Sequence, residues 1–149
     1  AREAGISKGG LLYHFPSKEA LIEGMIRYYL EVFTHDLNEA ARQQPAGAPG
    51  RWTRAYLQTT YEDRQRVPRM SSGLLAAVAT NPALLAPMQE SFGEWVRLLE
   101  EDGIDPTTAA IVRLAVDGLW LVELFGLAEP DADTRARVLA ALEAMIHPS

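Results

Sequence analysis

The fold of this chain is decided by residues 1–26, which read AREAGISKGGLLYHFPSKEALIEGMI. Gly5 is the residue type that suits a helix end with positive φ. Ser7 follows as an N-cap, because its hydroxyl can accept a hydrogen bond from the free N–H groups of the next turn. Pro16 then interrupts the chain, and Ser17 caps a further helix. The stretch therefore predicts two short helices joined by a tight turn and followed by a longer helix.

The chemistry of the second short helix fits a reader of the DNA major groove. Residues 8–13 make about two turns, and Gly9 and Gly10 each lower the helix propensity by roughly 1 kcal/mol relative to alanine. Close approach of the backbone to DNA phosphates at a helix start would compensate for that loss. The only two lysines of the chain, Lys8 and Lys18, both lie in this stretch. The ordered pattern predicts a helix-turn-helix whose second helix enters the major groove.

The same stretch resembles the recognition region of TetR/AcrR-family transcriptional regulators. In that family the second and third helices and the start of the fourth typically read A-x-x-A-G-[VI]-S-x-G-x-[LI]-Y-x-[HY]-F-x-[ST]-K-x-x-L. The chain departs from the pattern at Leu12, where the family has tyrosine, and carries Tyr13 one residue later. The matching residues are Ala1, Ala4, Gly5, Ile6, Ser7, Gly9, Leu11, His14, Phe15, Ser17, Lys18 and Leu21.

This resemblance implies a one-component regulator that binds a double-stranded DNA operator, most simply a repressor. Family members have a first helix of about twenty residues before this stretch, which completes a three-helix bundle. The chain begins without Met, so the expectation is an N-terminally truncated protein that lacks this helix. The predicted phosphate contacts are Ser7, Lys8, Tyr13 and Lys18, and the residues predicted nearest to bases or sugars are Gly9, Gly10, Leu12 and His14.

Composition and charge agree with a globular DNA-binding protein. The chain is 48% hydrophobic and 23% charged and contains no cysteine, which predicts neither an exported disulfide scaffold nor a membrane partner. A cytoplasmic location is the corresponding expectation. The net charge is −6, but residues 1–28 carry four basic and three acidic side chains, which leaves the negative charge to the remainder. The negative charge therefore lies in the part of the chain beyond residue 28, away from the predicted reading helix.

Beyond residue 28, proline and glycine separate a series of amphipathic segments without any period-two strand pattern. The predicted fold class is therefore all-α, with a partial helix-turn-helix DNA-binding domain at 1–28 and an effector-binding and dimerisation domain at 29–149. Pro87 predicts a kink or a short preceding turn. The predicted helices after the short one are 18–42, 51–66, 70–80, 82–102, 106–126 and 131–146.

The helix over 106–126 is apolar around nearly its whole circumference, which predicts burial on every side. One face can meet the core of its own chain while another meets a second subunit, giving a homodimer with the last helix as partner. A central core helix in a monomer is the alternative. The residues predicted at the subunit interface are Leu114, Gly118, Leu121, Val122 and Leu142.

Large adaptable side chains cluster in the middle helices and predict a pocket for a small hydrophobic effector. An ordinary core is the alternative for each residue, and the resemblance favours the pocket because the family binds effectors between its fourth and central helices. The residues predicted to bind the ligand are Tyr56, Met70, Phe92, Trp95 and Trp120.

No constellation typical of an enzyme, a cofactor site or a metal site stands out in the sequence. Glu31, His35 and Glu39 are spaced along one helix face, but without a second ligand-bearing element this spacing is typical of a solvated face. Arg113 and Asp117 are interpreted as a structural ion pair. We therefore predict no catalytic residues, no metal and no cofactor. The alternative function is a helical protein–protein interaction module without DNA binding, which salt-dependent affinity for duplex DNA would distinguish.

Overall fold

The computed structural model describes residues 7–62 and 72–147 of the chain. These residues form α-helices and one 3₁₀ helix, with no strand among them, which confirms the predicted all-α fold. The helices are α1 (Lys8–His14), α2 (Lys18–Gln43), α3 (Arg51–Glu62), α4 (Ser72–Thr80), α5 (Ala86–Glu100), α6 (Pro106–Phe125) and α7 (Ala132–Ile146), with the 3₁₀ helix (Pro82–Leu85) between α4 and α5.

Most helix boundaries follow the capping signals of the sequence. The hydroxyls of Ser7 and Ser17 accept hydrogen bonds from the backbone N–H three residues on, at 2.9 and 3.0 Å, and so start α1 and α2. Asn81 starts the 3₁₀ helix, which is the short turn before Pro87 that the sequence allowed. Gly126 ends α6 with a φ of 64°. The predicted ends near Arg66 and Met70, and the first predicted helix at residues 2–4, lie outside the described residues.

The core is assembled around the inward face of α2. This face presents Ile26, Leu30, Phe33 and Leu37, all nearly or fully buried, at the spacing of helical turns. Helices α3 and α5 pack along α2, and α6 packs on α3 and α5. The predicted domain division at residue 28 falls inside α2, which is one continuous helix, so this division stays a prediction.

The start of α3 is capped by a residue from a distant part of the chain. Asp102, in the turn between α5 and α6, is buried, and its carboxylate accepts hydrogen bonds from Trp52 N at 2.9 Å and Thr53 N at 2.7 Å. It also accepts from the Thr53 hydroxyl at 2.9 Å. The Asp102 carbonyl in turn accepts from Gly50 N at 2.8 Å. This turn and the first turn of α3 are thereby held together as one unit.

Helix α7 is attached to the rest of the chain at both ends. Near its start, the Arg135 guanidinium pairs with Glu123 at 2.8 Å and lies 5.2 Å from the ring centre of Tyr61. At its end, the fully buried Ile146 lies against Gly50, where a Cβ atom would stand 2.4 Å from the Ile146 Cγ2. Gly50 also has a φ of 74°, so both space and backbone require glycine at this position.

Helix α1 is fixed to α2 through the aromatic residue of the connecting turn. The ring of Phe15 lies over Gly24, where an added Cβ would be 2.6 Å from Phe15 Cε1. The turn that follows α1 is therefore in contact with the N-terminal half of α2. Within the described residues, no helix combines the length and the apolar character needed to cross a membrane.

Replacing Asp102 with alanine should lower the free energy of unfolding by about 2–3 kcal/mol, because it removes a helix cap and leaves buried donors without acceptors. Urea unfolding of the variant and the wild type measures the difference. The matched control is Asp105→Ala, which removes the exposed cap of α6 and should lower the value by about 1 kcal/mol. Equal losses in the two variants would contradict a special role for the Asp102 bridge.

Candidate DNA-reading helix and ligand region

The short helix α1 presents most of its described side chains to solvent. Tyr13 is 85% exposed and Leu12 is 49% exposed. His14 is also exposed, and its ring meets the Tyr13 ring edge-on with centroids 5.2 Å apart. An exposed leucine and tyrosine on a short helix gain little from their own chain, so this face is available to a partner.

The other predicted DNA contacts lie at the edges of the same face. Gly9 and Gly10 are exposed in the first turn of α1, and among the described residues the Ser7 hydroxyl is the neighbour within 4 Å of a Cβ added at either position. Lys8 begins α1, and Lys18 is exposed in the first turn of α2. The structure thus gathers the predicted residues around one short helix, while their contacts with DNA stay a prediction.

Three of the predicted ligand-binding residues lie together in the core. Tyr56 and Trp95 contact Phe33 of α2, and Phe92 contacts Trp95. The ring centroids are 4.5 Å apart for Phe33 and Trp95 and 4.8 Å apart for Phe92 and Trp95. Tyr56 and Trp95 are each only 3% exposed. The indole N–H of Trp95 donates to the Thr34 hydroxyl at 3.1 Å. We call Phe33, Tyr56, Phe92 and Trp95 the aromatic cluster.

A fourth predicted ligand residue, Trp120, lies apart from this cluster. Trp120 is half-buried and lines a separate space of about 10 Å³ beside Leu57 and Val116, which is no larger than a water molecule. The fifth, Met70, lies outside the described residues. Ligand binding by the five residues therefore stays a prediction, while the structure brings Tyr56, Phe92 and Trp95 together.

A polar network borders the aromatic cluster on the side of α6. The Tyr56 hydroxyl donates to Asp117 Oδ1 at 2.6 Å, and Arg113 pairs with Asp117 Oδ2 at 3.0 Å, which confirms the predicted Arg113–Asp117 ion pair. Burial raises the pKa of Asp117, although the Tyr56 and Arg113 hydrogen bonds oppose this rise. Burial, and next the Asp117 carboxylate, raise the pKa of Tyr56, so its hydroxyl stays protonated and donates.

A larger open space lies on the other side of the aromatic cluster, between α2 and α5. This groove has a volume of about 370 Å³. We call it the α2–α5 groove, and its lining residues are Arg27, Leu30, Glu31, Thr34, His35, Asn38, Pro87, Glu90 and Ser91. Glu31 and His35 of the spaced trio lie here, and no group of three metal-binding side chains occurs in the part of the chain that the structure describes.

The predicted interface residues of α6 form an exposed stripe. Leu114 is 59% exposed and Leu121 is 42% exposed, and a Cβ added at Gly118 would meet nothing within 4 Å. Val122 is half-buried beside them. Leu142 needs correction, because it is 6% exposed within the single chain and belongs to its hydrophobic core. A charge at Leu142 would disrupt the fold and could not report on an interface.

Three long-range polar contacts that organise this region were missed in the sequence. Thr34 accepts a hydrogen bond from Trp95, and Asp117 accepts one from Tyr56, in each case from 61 residues away in the chain. Asp102 caps α3 from about 50 residues away. Asp117 gave a local signal through its spacing from Arg113, but that signal concerns one helix only. Nothing in the local sequence of Thr34 marks it as a partner of an indole.

The substitution D117N keeps a hydrogen-bond acceptor for Tyr56 but removes the titratable carboxyl group of Asp117. It therefore isolates the effect of the raised pKa of that carboxyl group. A folded-state pKa above the unfolded value means that the native state binds the proton more tightly. The unfolding free energy of the wild type minus that of D117N should therefore fall as the pH rises above about 4, and level off once Asp117 is ionised in both states. Urea unfolding across this range measures it, and a difference that grows with pH would contradict the burial of the charge.

Two family models match the chain. Residues 1–25 match the model described as bacterial regulatory proteins, tetR family, and residues 50–147 match the model described as tetracyclin repressor-like, C-terminal domain. No curated protein and no solved structure shows a significant match. The first match ends within the N-terminal half of α2, and the second begins at the start of α3 and extends through α7.

The matched regions correspond to the two parts of the architecture, which are the helix-turn-helix with the exposed α1 and the helical body. Together they cover most of the chain, and the order of elements is the order that the sequence predicts. The chain therefore belongs to the TetR family of bacterial regulatory proteins and is a DNA-binding transcriptional regulator.

Proposed function

We propose that this regulator is a homodimeric repressor that leaves its operator when a small effector binds to the helical body. The observation that carries the proposal is the exposed face of α1, which is seated on α2 through Phe15. Helix α2 then runs into the core and contacts both the aromatic cluster and the α2–α5 groove. A single continuous helix thus joins the DNA-reading face to the ligand region.

On DNA, α1 would lie in the major groove with its side chains divided between positioning and reading. Ser7, Lys8, Tyr13 and Lys18 would contact phosphates. The bases or sugars would be approached by Gly9, Gly10, Leu12 and His14. Because its target is chromosomal DNA, we place the protein in the cytoplasm.

Replacing Lys18 with alanine should weaken binding to all duplex sequences and reduce the slope of log K against log salt by about one unit, since one phosphate contact is lost. Fluorescence anisotropy over a salt series measures the slope. The control is Arg42→Ala, which removes the same charge from the exposed far end of α2 and should leave the slope unchanged. If both variants behave alike, Lys18 does not contact DNA.

The dimer would form through the exposed stripe of α6. Ile111, Leu114, Leu121 and Phe125 are all at least 42% exposed in the single chain, and they repeat at the three- and four-residue spacing of one helix face. Gly118 in the same stripe allows close approach of a second helix. Two such stripes related by two-fold symmetry would bury each other, as isologous interfaces do.

Replacing Leu114 with glutamate should convert the dimer to a folded monomer, because two buried carboxylates would oppose each other across the symmetry axis. Sedimentation at micromolar concentration measures the mass, and circular dichroism checks the fold. Ala79→Glu, on an exposed position of α4, is the control and should remain dimeric. A wild-type protein that sediments as a monomer would contradict the proposal.

For the effector, we propose a small hydrophobic molecule that inserts at the aromatic cluster. The rings of Phe33 and Phe92 each contact Trp95, so the ligand would have to separate them from it. Its affinity would come mainly from burial of apolar area, at roughly 25 cal/mol per Å². Such a ligand favours release only if it binds the released conformation more tightly than the DNA-bound one.

The second candidate function is a helical interaction module that contacts protein instead of DNA. The acidic character of the chain beyond residue 28 is the observation that favours it. Duplex DNA affinity that is absent at low salt would support this alternative, and affinity that falls steeply with salt would exclude it.

A further inference from the structure

The α2–α5 groove has two kinds of surface. Its floor contains apolar carbon from Leu30, which is 3% exposed, and from the buried Pro87. Its walls are polar and come from two helices, with one stripe of α2 facing the first turns of α5. The α2 stripe spans about 16 Å between Arg27 and Asn38. A floor of carbon between polar walls suits an elongated ligand with an aliphatic stem and polar ends.

The uncharged side chains of the groove offer both donors and acceptors. One N–H of the Asn38 side chain donates to the Thr34 carbonyl at 2.7 Å, which leaves its second N–H and its oxygen. The Thr34 hydroxyl accepts from Trp95 and keeps its own O–H group, and Ser91 adds a further hydroxyl at the α5 wall. Hydrogen bonding by these groups therefore does not select the ligand, and the charged side chains of the lining decide its class.

The charged side chains of the groove that lack an ion-pair partner among the described residues are acidic. Arg27 points two of its nitrogens at Glu23, at 2.9 and 3.0 Å, so its positive charge is neutralised by a residue outside the groove. Glu31 on α2 and Glu90 on α5 form no hydrogen bond or ion pair with any residue that the structure describes. Glu31 and Glu90 therefore outnumber Arg27 among the charged lining residues, and the Arg27 charge is already shared with Glu23.

We propose that the α2–α5 groove binds a small aliphatic diamine or polyamine. One ammonium group is held by Glu31 and another by Glu90, and the methylene stem covers Leu30 and Pro87. Exposed single ion pairs are weak, so a ligand with one charge gains little. A ligand that joins two charges gains from the second contact at a high effective concentration. This site lies outside the aromatic cluster, and the proposal does not depend on the proposed function.

The test is isothermal titration of the chain with spermidine, 1,5-diaminopentane and n-pentylamine at low salt. It is carried out without DNA, because polyamines themselves bind DNA phosphates. The two multiply charged amines should bind at one site per chain. The monoamine, which has the same stem as the diamine, should bind at least about tenfold more weakly, since it lacks the second ion pair.

The decisive variant is E31Q/E90Q, and E94Q/E100Q is its matched control. Both double substitutions change the net charge by the same amount, but Glu94 and Glu100 are exposed positions of α5 outside the groove. Spermidine affinity should fall at least about tenfold in E31Q/E90Q and remain near the wild-type value in E94Q/E100Q. Thermal melts confirm that both variants fold.

Two results would overturn the proposal. Equal losses in the two double variants would show that the amine responds only to the total charge of the protein. Absence of binding to the wild type at millimolar spermidine would show that the groove is an ordinary solvated surface.

Discussion

The bridge from Asp102 to the first turn of α3 is the interaction on which the rest of the structure depends. Its carboxylate satisfies three donors of Trp52 and Thr53, and its carbonyl receives Gly50 N. Because Gly50 also supports Ile146, the same point fixes the end of α7. The turn after α5, the start of α3 and the end of α7 therefore meet at one place. The loss of this carboxylate would expose unpaired donors in a buried region, which is costlier than the loss of a surface cap.

The interior of the helical body combines apolar packing with a few fully committed polar groups. Phe33 contacts aromatic residues of α3 and α5, and two of these residues have polar partners, since the Tyr56 hydroxyl donates to Asp117 and the Trp95 indole N–H donates to Thr34. Buried polar pairs of this kind fix the relative positions of helices, since any shift leaves a group without its hydrogen bond. Helix α2 is thereby held to α5 at Thr34, and α3 is held to α6 at Tyr56. Thr34 of this framework also lines the α2–α5 groove, and Asp117 lies on α6 with the exposed stripe.

The sequence predicted the helices well because helix ends are encoded locally. Ser7, Ser17 and Asn81 cap the elements that follow them, and Pro82 and Gly126 mark a start and an end. It grouped Tyr56, Phe92 and Trp95 with Met70 and Trp120 as ligand residues; the structure brings the first three together, and their ligand binding stays a prediction. It assigned Leu142 to the wrong side of its helix, because apolar periodicity identifies a buried face without saying whether the same chain or another covers it. The partners of Asp102 and Thr34 could not be predicted from the sequence, because these contacts join segments about 50 or more residues apart.

The contact of Phe15 with Gly24 links α1 to the first half of α2. From Thr34, where Trp95 anchors α2, to Ser17 the helix extends about 25 Å, so a tilt of about 5° moves α1 by about 2 Å. In a two-fold dimer the two displacements would add, against a half-site spacing of about 34 Å. So small a rotation of α2 reaches α1 only if the contact between Phe15 and Gly24 is rigid. Any side chain at position 24 would push the Phe15 ring away, and the turn after α1 would then lose its contact with the first half of α2.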